Sequence, residues 1–120
     1  MNSYHYGRLA ELIARIYMRL HGYHIVCQNY SSKRGTHVGE IDFIARRGKT
    51  LVFVEVKKRR SAQILPYAIN KHQQQRIIMG AKHFLQRHKQ YSGFDIRFDA
   101  ILICLPFHLE HIKNAWQADS

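Results

Sequence analysis

The sequence predicts a mixed α/β fold with the element order αβββαβ, in which helices flank a mixed central sheet. Two long segments have the apolar periodicity of amphipathic helices, one at the N-terminus and one in the second half. Three segments between these helices and one after them have strand patterns. A length of 120 residues suffices for one core, so residues 1–120 are predicted to form a single domain.

The first helix is predicted from about residue 3 to residue 21, with Gly22 as its stop signal. Its apolar stripe consists of Leu9, Leu12, Ile13, Ile16 and Leu20, and a second face of small residues consists of Gly7, Ala14 and Met18. We therefore expect neighbours to cover this helix on more than one side. Glu11 then lies at the border of a narrow polar arc. The alternative for Glu11 is a surface ion pair with Arg8 or Arg15.

A predicted hairpin, residues 39–45 and 51–57, follows a first strand at residues 23–29 and a polar, basic connection at residues 31–37. Burying a charge in a strand is costly unless the charge is paired or holds a metal. The hairpin nevertheless places four charged residues within apolar strand patterns, and these are Glu40, Asp42, Glu55 and Lys57.

The register of the hairpin decides which of these acids meet. If the loop is Gly48-Lys49, Asp42 lies opposite Glu55. If the loop is Arg47-Gly48, Glu40 faces Glu55 and Asp42 lies one diagonal step away. In both cases the period-two alternation of side chains places all four charged residues on one face. Because like charges repel across a sheet, three carboxylates on one face would be poor structural design without a balancing charge.

The second helix is predicted to begin at Pro66 and to end near His88. Its apolar stripe consists of Ile69, Ile77, Ala81, Phe84 and Leu85. A strand is predicted from about residue 95 to residue 104, ahead of Pro106. The segment from residue 109 to residue 116 is expected to form a short strand followed by one helical turn.

Asp42 and Glu55 are suited to holding Mg²⁺ or Mn²⁺, because these hard cations take a few protein oxygens and keep water and phosphate oxygens as their other ligands. The backbone carbonyl of Val56 would complete such a site. The ammonium group of Lys57 would orient an attacking water and offset charge in the transition state of phosphodiester hydrolysis. The structural alternative is a salt bridge from Lys57 to Glu55 or Asp42, since this spacing alone is common by chance.

The chain is strongly basic, with 19 Lys and Arg against 8 Asp and Glu and a net charge of +11. Such a balance favours a polyanionic partner, which we expect to be DNA, although the sequence does not separate DNA from RNA. No helix-turn-helix, zinc-finger or RNA-binding pattern is present, so backbone contacts are expected rather than base-specific recognition. The candidate phosphate contacts beside the site are Lys33, Arg34, Lys58, Arg59, Arg60 and Lys71.

The cysteines and histidines are assigned no chemistry. Cys27 and Cys104 lie in strand-like apolar runs and are predicted to be reduced and buried. The pairs His21–His24 and His108–His111 lack a third ligand and are predicted to lie at the surface. No segment fits a signal peptide or a membrane span, so a cytoplasmic protein without a membrane partner is expected.

Several segments together resemble the YraN-like family of small bacterial proteins. That family is similar to the archaeal Holliday-junction resolvases and belongs to the PD-(D/E)xK nuclease superfamily. The resemblance runs from the N-terminal helix to Asn114-Ala115 and is carried by Gly39-Glu40-Ile41-Asp42, Val52-Phe53-Val54-Glu55-Val56-Lys57, Arg59, Lys71 and Arg97-Phe98-Asp99. It implies a restriction-endonuclease-like core. Ile41 stands where the motif has proline, a change that many members of the superfamily tolerate.

The resemblance also implies a metal-dependent DNA endonuclease that acts on branched or recombination-intermediate DNA. Asp42 would be the motif aspartate, Glu55 and Lys57 the ExK pair, and Glu11 the first-helix acid that helps to hold metal or water. Mg²⁺ or Mn²⁺ would be bound by Asp42, Glu55 and Glu11, and two symmetric cuts on a junction would need a homodimer. The alternative is a non-catalytic nucleic-acid-binding module that retains the nuclease fold, with the acids as remnants or salt-bridge partners.

Overall fold

Five strands form one mixed sheet in the computed structural model, which describes residues 3–31, 40–59, 69–104 and 108–118, without the side chains of residues 3, 4 and 59. The elements in chain order are α1 (Ser3–Leu20), β1 (His24–Tyr30), β2 (Ile41–Arg47), β3 (Thr50–Arg59), α2 (Lys71–Arg87), a 3₁₀ turn (Lys89–Tyr91), β4 (Asp95–Cys104) and β5 (His108–Trp116). The strands lie in sequence order, with β3 and β4 parallel and the other neighbours antiparallel. A parallel pair requires a crossover connection, and α2 lies within it. The predicted class, a mixed sheet flanked by two helices, is confirmed and is compatible with a restriction-endonuclease-like core.

The central strand β3 is buried on both faces of the sheet. Leu51 and Phe53 pack in one cluster with α2, and Val52 and Val54 pack in the other cluster with α1. Because both faces are covered, this strand is a continuous apolar run rather than an alternating one. The helical residues in these clusters are Ala10, Ala14 and Met18 of α1 and Ile77, Ile78, Ala81 and Phe84 of α2.

Helix α1 approaches the sheet mainly through Ala10, Ala14 and Met18, and Ile13 of its predicted apolar stripe also packs against this cluster. These residues contact Phe43, Val52 and Val54 on the sheet. A Cβ atom at Gly7 would lie 3.3 Å from Nζ of Lys58. The expectation of cover on more than one side is wrong for the outer face in the described part of the chain, where Leu12, Ile16 and Leu20 are 42%, 44% and 79% exposed.

The β2–β3 hairpin has the Gly48-Lys49 loop, which is the first of the two predicted registers. Arg47 pairs with Thr50, and the register continues without a shift to the pair of Phe43 and Val54. Gly48 has a φ of 59°, a left-handed conformation that glycine adopts without a steric penalty. The next residues along this register are Asp42 and Glu55.

Helix α2 begins at Lys71 and not at Pro66, which lies outside the described residues. The helix starts where Asn70 has an extended backbone and its side-chain oxygen accepts a hydrogen bond from the backbone N–H of Gln73 at 2.8 Å. This N-cap satisfies a donor that the first helical turn leaves without a backbone partner. Ile69, predicted to be helical, is buried just ahead of the cap.

The C-terminal segment is one long strand, β5, and the predicted helical turn within it is wrong. The extended backbone brings Trp116 beside Phe98, with stacked rings whose centroids are 5.7 Å apart. The register shifts between Phe98 and Ala100, and Asn114 has a φ of 54°. This bulge keeps the strand paired to its end and lets Trp116 reach the core.

Two further predictions concern cysteine chemistry and the membrane. Neither Cys27 in β1 nor Cys104 in β4 forms a disulfide. Cys104 is buried as predicted, whereas Cys27 is only half-buried. Within the described ranges, no helix is both long and apolar enough to cross a bilayer.

Candidate active site

The β2–β3 hairpin brings Asp42 and Glu55 together at the point where its backbone ladder ends. Asp42 Oδ2 accepts a hydrogen bond of 2.7 Å from the backbone N–H of Val56. A second hydrogen bond joins the carboxyl groups of Asp42 and Glu55. Glu55 is buried and Asp42 is half-buried, so the two acids lie together at the edge of the core.

Both acids of this pair are harder to ionise than in water. Burial and the neighbouring Asp42 together raise the pKa of Glu55 to about 9, and the charge of Lys57 opposes the shift. Burial also raises the pKa of Asp42, although the hydrogen bond from the Val56 N–H opposes the shift. Two carboxyl groups in contact cannot both ionise without a balancing cation, so the metal-free pair holds one proton at neutral pH.

Two side chains approach Glu55 from different elements. Lys57, two residues further along β3, has its Nζ 3.8 Å from Glu55 Oε2. Gln73 of α2 donates from Nε2 to the same oxygen at 3.0 Å. The N-cap at Asn70 holds the Gln73 backbone, so the start of α2 positions this amide against the acid pair.

Gln73 was not among the residues predicted from the sequence. It lies in the polar run that begins α2, and a polar segment at a helix start is equally typical of a solvated surface. Only the contact between α2 and the hairpin, which is long-range, gives Gln73 its place beside Glu55.

A cavity of about 200 Å³ opens above the acid pair, lined by Glu40, Asp42, Glu55, Gln73, Arg76 and Ile77. Glu40 therefore shares a face with Asp42 and Glu55, as both predicted registers require. Arg76 approaches Glu40, with Nη2 3.9 Å from Oε1. Because the Glu40 side chain is 62% exposed, this ion pair lies at the rim of the cavity.

Glu11 lies on α1, in a neighbouring cavity of about 360 Å³ that is also lined by Arg8, Arg15, Gln28 and Asn29. Burial raises the pKa of Glu11, the charge of Asp42 adds to the shift, and Arg15, Lys58 and Arg8 oppose it. Glu11 is therefore close enough to Asp42 for the negative charge of Asp42 to make Glu11 harder to ionise. Among the described residues, however, no three His, Cys, Asp or Glu side chains lie close enough together to hold one ion. The structure brings Asp42 and Glu55 together, and the metal role of Glu11 stays a prediction.

The predicted phosphate contacts are only partly described. Lys58 is exposed on β3, and Lys71 is exposed as the first residue of α2. Arg59 lies on β3, but its side chain is outside the described part of the chain, as are Lys33, Arg34 and Arg60 altogether.

A second polar cluster is centred on Asp99, which is fully buried and was not predicted. Arg97 donates to both carboxylate oxygens at 2.9 Å, and the backbone N–H of Asn114 donates at 3.0 Å. His111 Nε2 lies 2.7 Å from Asp99 Oδ2. Burial raises the pKa of Asp99, but the hydrogen bonds from these three residues outweigh that effect and hold the pKa below its ordinary value.

The Asp99 cluster corrects one prediction about the histidines. His21, His24 and His108 are exposed as predicted, but the His111 side chain is only 5% exposed. Its Nδ1 lies 3.0 Å from the hydroxyl of Tyr17 on α1, so the imidazole links α1 to β4. The spacing between His108 and His111 could not indicate burial, because both partners of His111 come from distant segments.

Comparisons with known proteins identify a family without an assigned activity. A family described as "Uncharacterised protein family UPF0102" matches residues 10–103, a range that contains Glu11, Asp42, Glu55 and Lys57. A UPF0102 protein of Paramagnetospirillum magneticum is 39% identical over 114 residues, covering 94% of this chain and 88% of that protein. One from Nitrobacter winogradskyi is 44% identical over 110 residues, covering 89% and 90%. One from Ehrlichia ruminantium is 37% identical over 111 residues, covering 92% and 83%.

Proposed function

We propose that this chain, which belongs to the uncharacterised protein family UPF0102, is a metal-dependent endonuclease that hydrolyses DNA phosphodiester bonds at the Asp42–Glu55 pair. The observation that carries the proposal is the contact between these two acids beside an open cavity, with the Lys57 ammonium 3.8 Å from Glu55. A structural salt bridge explains one carboxylate beside one lysine, but it gives no reason to place a second, half-buried carboxylate in contact with the first.

The donor set fits Mg²⁺ or Mn²⁺. Both acids offer hard oxygen ligands, and the proton that they share marks a place where positive charge is needed. Two carboxylates are a sufficient protein contribution for Mg²⁺, which keeps several waters and substrate oxygens as its other ligands. A divalent cation bound there would stabilise negative charge on the phosphoryl oxygens and lower the pKa of a bound water.

The remaining side chains position and balance this pair. The Val56 N–H fixes one oxygen of Asp42, which holds that carboxyl group in its orientation beside Glu55. Gln73 holds Glu55 in its orientation through a neutral hydrogen bond. Lys57 supplies a positive charge beside the acids, where it can orient a water and stabilise the charge that develops on phosphate.

The resemblance to Holliday-junction resolvases, within the PD-(D/E)xK superfamily, supports DNA with branches as the substrate. The net charge of +11 supports a polyanionic partner without choosing among DNA structures. Two symmetric cuts across a four-way junction would require a homodimer, and that assembly belongs to the same proposal.

Cleavage assays test the proposal. Purified protein is incubated with labelled four-way junction, flap, single-stranded and duplex DNA, in Mn²⁺ or in chelator, beside Asp42→Asn and Lys57→Ala. We expect metal-dependent cleavage by the wild type and at least a hundredfold loss in each variant, with DNA binding retained. Lys82→Ala is the matched control, because Lys82 is an exposed lysine of α2 that does not line the site.

Two results would contradict the endonuclease assignment. Absence of cleavage on every substrate in Mn²⁺, with DNA binding intact, would identify a non-catalytic nucleic-acid-binding module. Cleavage that survives both Asp42→Asn and Lys57→Ala would point to a contaminating nuclease or to a different active site.

A further inference from the structure

Three neighbouring cavities follow one another along the surface of the protein and share lining residues. The first, of about 360 Å³, lies beside α1 and shares Asn29 with the second. The second, of about 60 Å³, shares Glu40 and Asp42 with the third, which is the cavity of about 200 Å³ above the acid pair. Asp42 therefore lies between a space that leads to α1 and a space that leads to α2.

The cavity beside α1 has the donors that a phosphate group requires. Arg8 and Arg15 are seven residues apart on α1, so two helical turns place them on the same side of the helix. Each guanidinium offers a planar fork of N–H donors that matches two phosphate oxygens. Gln28 and Asn29 of β1 add amide groups on the opposite wall.

Glu11 lies between these arginines and does not cancel their charge. It supplies one negative charge against two guanidinium groups. The positive charge of Lys58 also lies near enough to Glu11 to favour its ionised form. The cavity beside α1 is therefore net positive and suits an anion better than a cation.

Asn29 belongs to both the first and the second cavity. The residue is exposed and lines both of them. Its φ of 51° lies in the left-handed region, which asparagine tolerates better than most residues other than glycine.

The cavity above the acid pair is also basic at its far end. Arg76 lines it together with Gln73, and Arg76 lies 3.9 Å from the exposed Glu40. A weak ion pair at the rim leaves the guanidinium able to bind a phosphate. Cationic groups therefore lie on both sides of the Asp42–Glu55 pair, with Arg8 and Arg15 at one end and Arg76 at the other.

We infer that the three cavities form one groove for the backbone of a nucleic-acid strand, in which Arg8 and Arg15 bind a backbone phosphate on the opposite side of Asp42 from Arg76. The inference rests on the proposed function and deepens it by naming the residues that hold the substrate on both sides of the acid pair. A strand bound along this groove passes Asp42, which lines both the second and the third cavity.

Binding measurements without catalysis test the groove. A fluorescein-labelled oligothymidine and a duplex of the same length are titrated with protein in chelator, and fluorescence anisotropy is recorded at several salt concentrations. We expect Arg8→Ala and Arg15→Ala each to weaken binding of the single strand about tenfold, the effect of losing a charge-assisted hydrogen bond. Each should also lower the magnitude of the salt slope by about 0.7, the value for one phosphate contact on a single strand.

Controls separate this effect from general loss of charge or of fold. Arg19→Ala removes an exposed α1 arginine that does not line the cavity, and it should leave the affinity for the single strand and the salt slope unchanged. Arg15→Lys keeps the charge but not the planar fork, so it should recover only part of the affinity. Far-ultraviolet circular dichroism verifies that each variant is folded.

Several outcomes would overturn the groove. They are equal losses for Arg19→Ala and Arg15→Ala, and an unchanged salt slope in Arg8→Ala and Arg15→Ala. Failure of the proposed function is a different result, because a protein that never cleaves DNA but loses single-strand affinity only in Arg8 and Arg15 variants would retain the groove without hydrolysis.

Discussion

Replacing Glu55 by glutamine tests whether the acid pair holds a proton in the metal-free protein. Burial and the neighbouring Asp42 together raise the pKa of Glu55 from an ordinary 4.5 to about 9. Between these two values the folded state binds one more proton than the unfolded state. The stabilisation that this extra proton provides is therefore complete below the pKa that Glu55 has in the unfolded chain. It is lost as the pH rises through the pKa that Glu55 has in the folded protein. Glutamine imitates the protonated acid, because its amide can donate to Asp42 while its oxygen accepts from Gln73.

The magnitude follows from the one proton that the folded state binds in excess. Each pH unit within this window changes the free energy of unfolding by about 1.4 kcal/mol, so the wild type should lose about 3 kcal/mol relative to Glu55→Gln between about pH 6 and pH 8. Urea unfolding in chelator, followed by circular dichroism at both pH values, measures this difference. Chelator is required because a bound divalent cation would displace the proton.

A matched control separates the buried acid from the acids at the surface. Glu40→Gln removes a carboxylate whose side chain is 62% exposed, and we expect this variant to keep the pH dependence of the wild type. Parallel pH dependences in the wild type and Glu55→Gln would refute the reasoning. In that case the pair would be fully ionised in the folded protein, and the need for a cation would disappear.

Two further predictions concern the buried polar cluster and the nucleic-acid surface. Asp99→Asn should lower the free energy of unfolding, measured by urea unfolding at neutral pH, by roughly 3–5 kcal/mol, because it leaves the Arg97 guanidinium without its carboxylate partner. A loss below about 1 kcal/mol would contradict this role of Asp99. The pKa of Asp99 in the folded protein lies below its ordinary value. The stabilisation by Asp99 should therefore be complete at any pH above that ordinary pKa, and it should be lost as the pH falls through the folded-state pKa. Lys71→Ala should weaken duplex DNA binding and lower the magnitude of the salt slope by about 0.9, whereas Lys82→Ala should change neither; equal effects of the two lysines would indicate unlocalised attraction.

The hairpin was the part of the fold that the sequence could predict best, because its register depends on local information. Two strand patterns and a glycine-containing loop leave few alternatives, and both registers considered place Asp42 and Glu55 on one face. The observed loop, Gly48-Lys49, selected the register in which the two acids are opposite each other. Local patterns alone therefore predicted the centre of the candidate site.

Helix α1 shows where such patterns are insufficient. Periodicity identified two faces on this helix, but nothing in one segment says which face meets the sheet. The answer depends on residues of β2 and β3 that are distant in sequence, against which Ala14 and Met18 pack. A stripe with Leu12 and Ile16 consequently lies outside, contrary to the rule that larger apolar residues are buried.

Gln73 and the Asp99 cluster could not be predicted because every partner is distant in sequence. Gln73 meets Glu55 only after α2 has packed on the hairpin, and the start of α2 was itself placed too early in the chain. Asp99 meets His111 only when β5 pairs with β4, in a segment for which a helical turn was expected. In each case an error in an element boundary concealed a polar contact.

Anomalous diffraction from Mn²⁺-soaked crystals tests the central claim most directly, since it locates the ion without any assumption about substrate. We expect one strong Mn²⁺ peak in contact with the carboxylate oxygens of Asp42 and Glu55, and loss of that peak in Asp42→Asn crystals soaked in the same way. Full Mn²⁺ occupancy at a different place, with no peak between Asp42 and Glu55, would contradict the account.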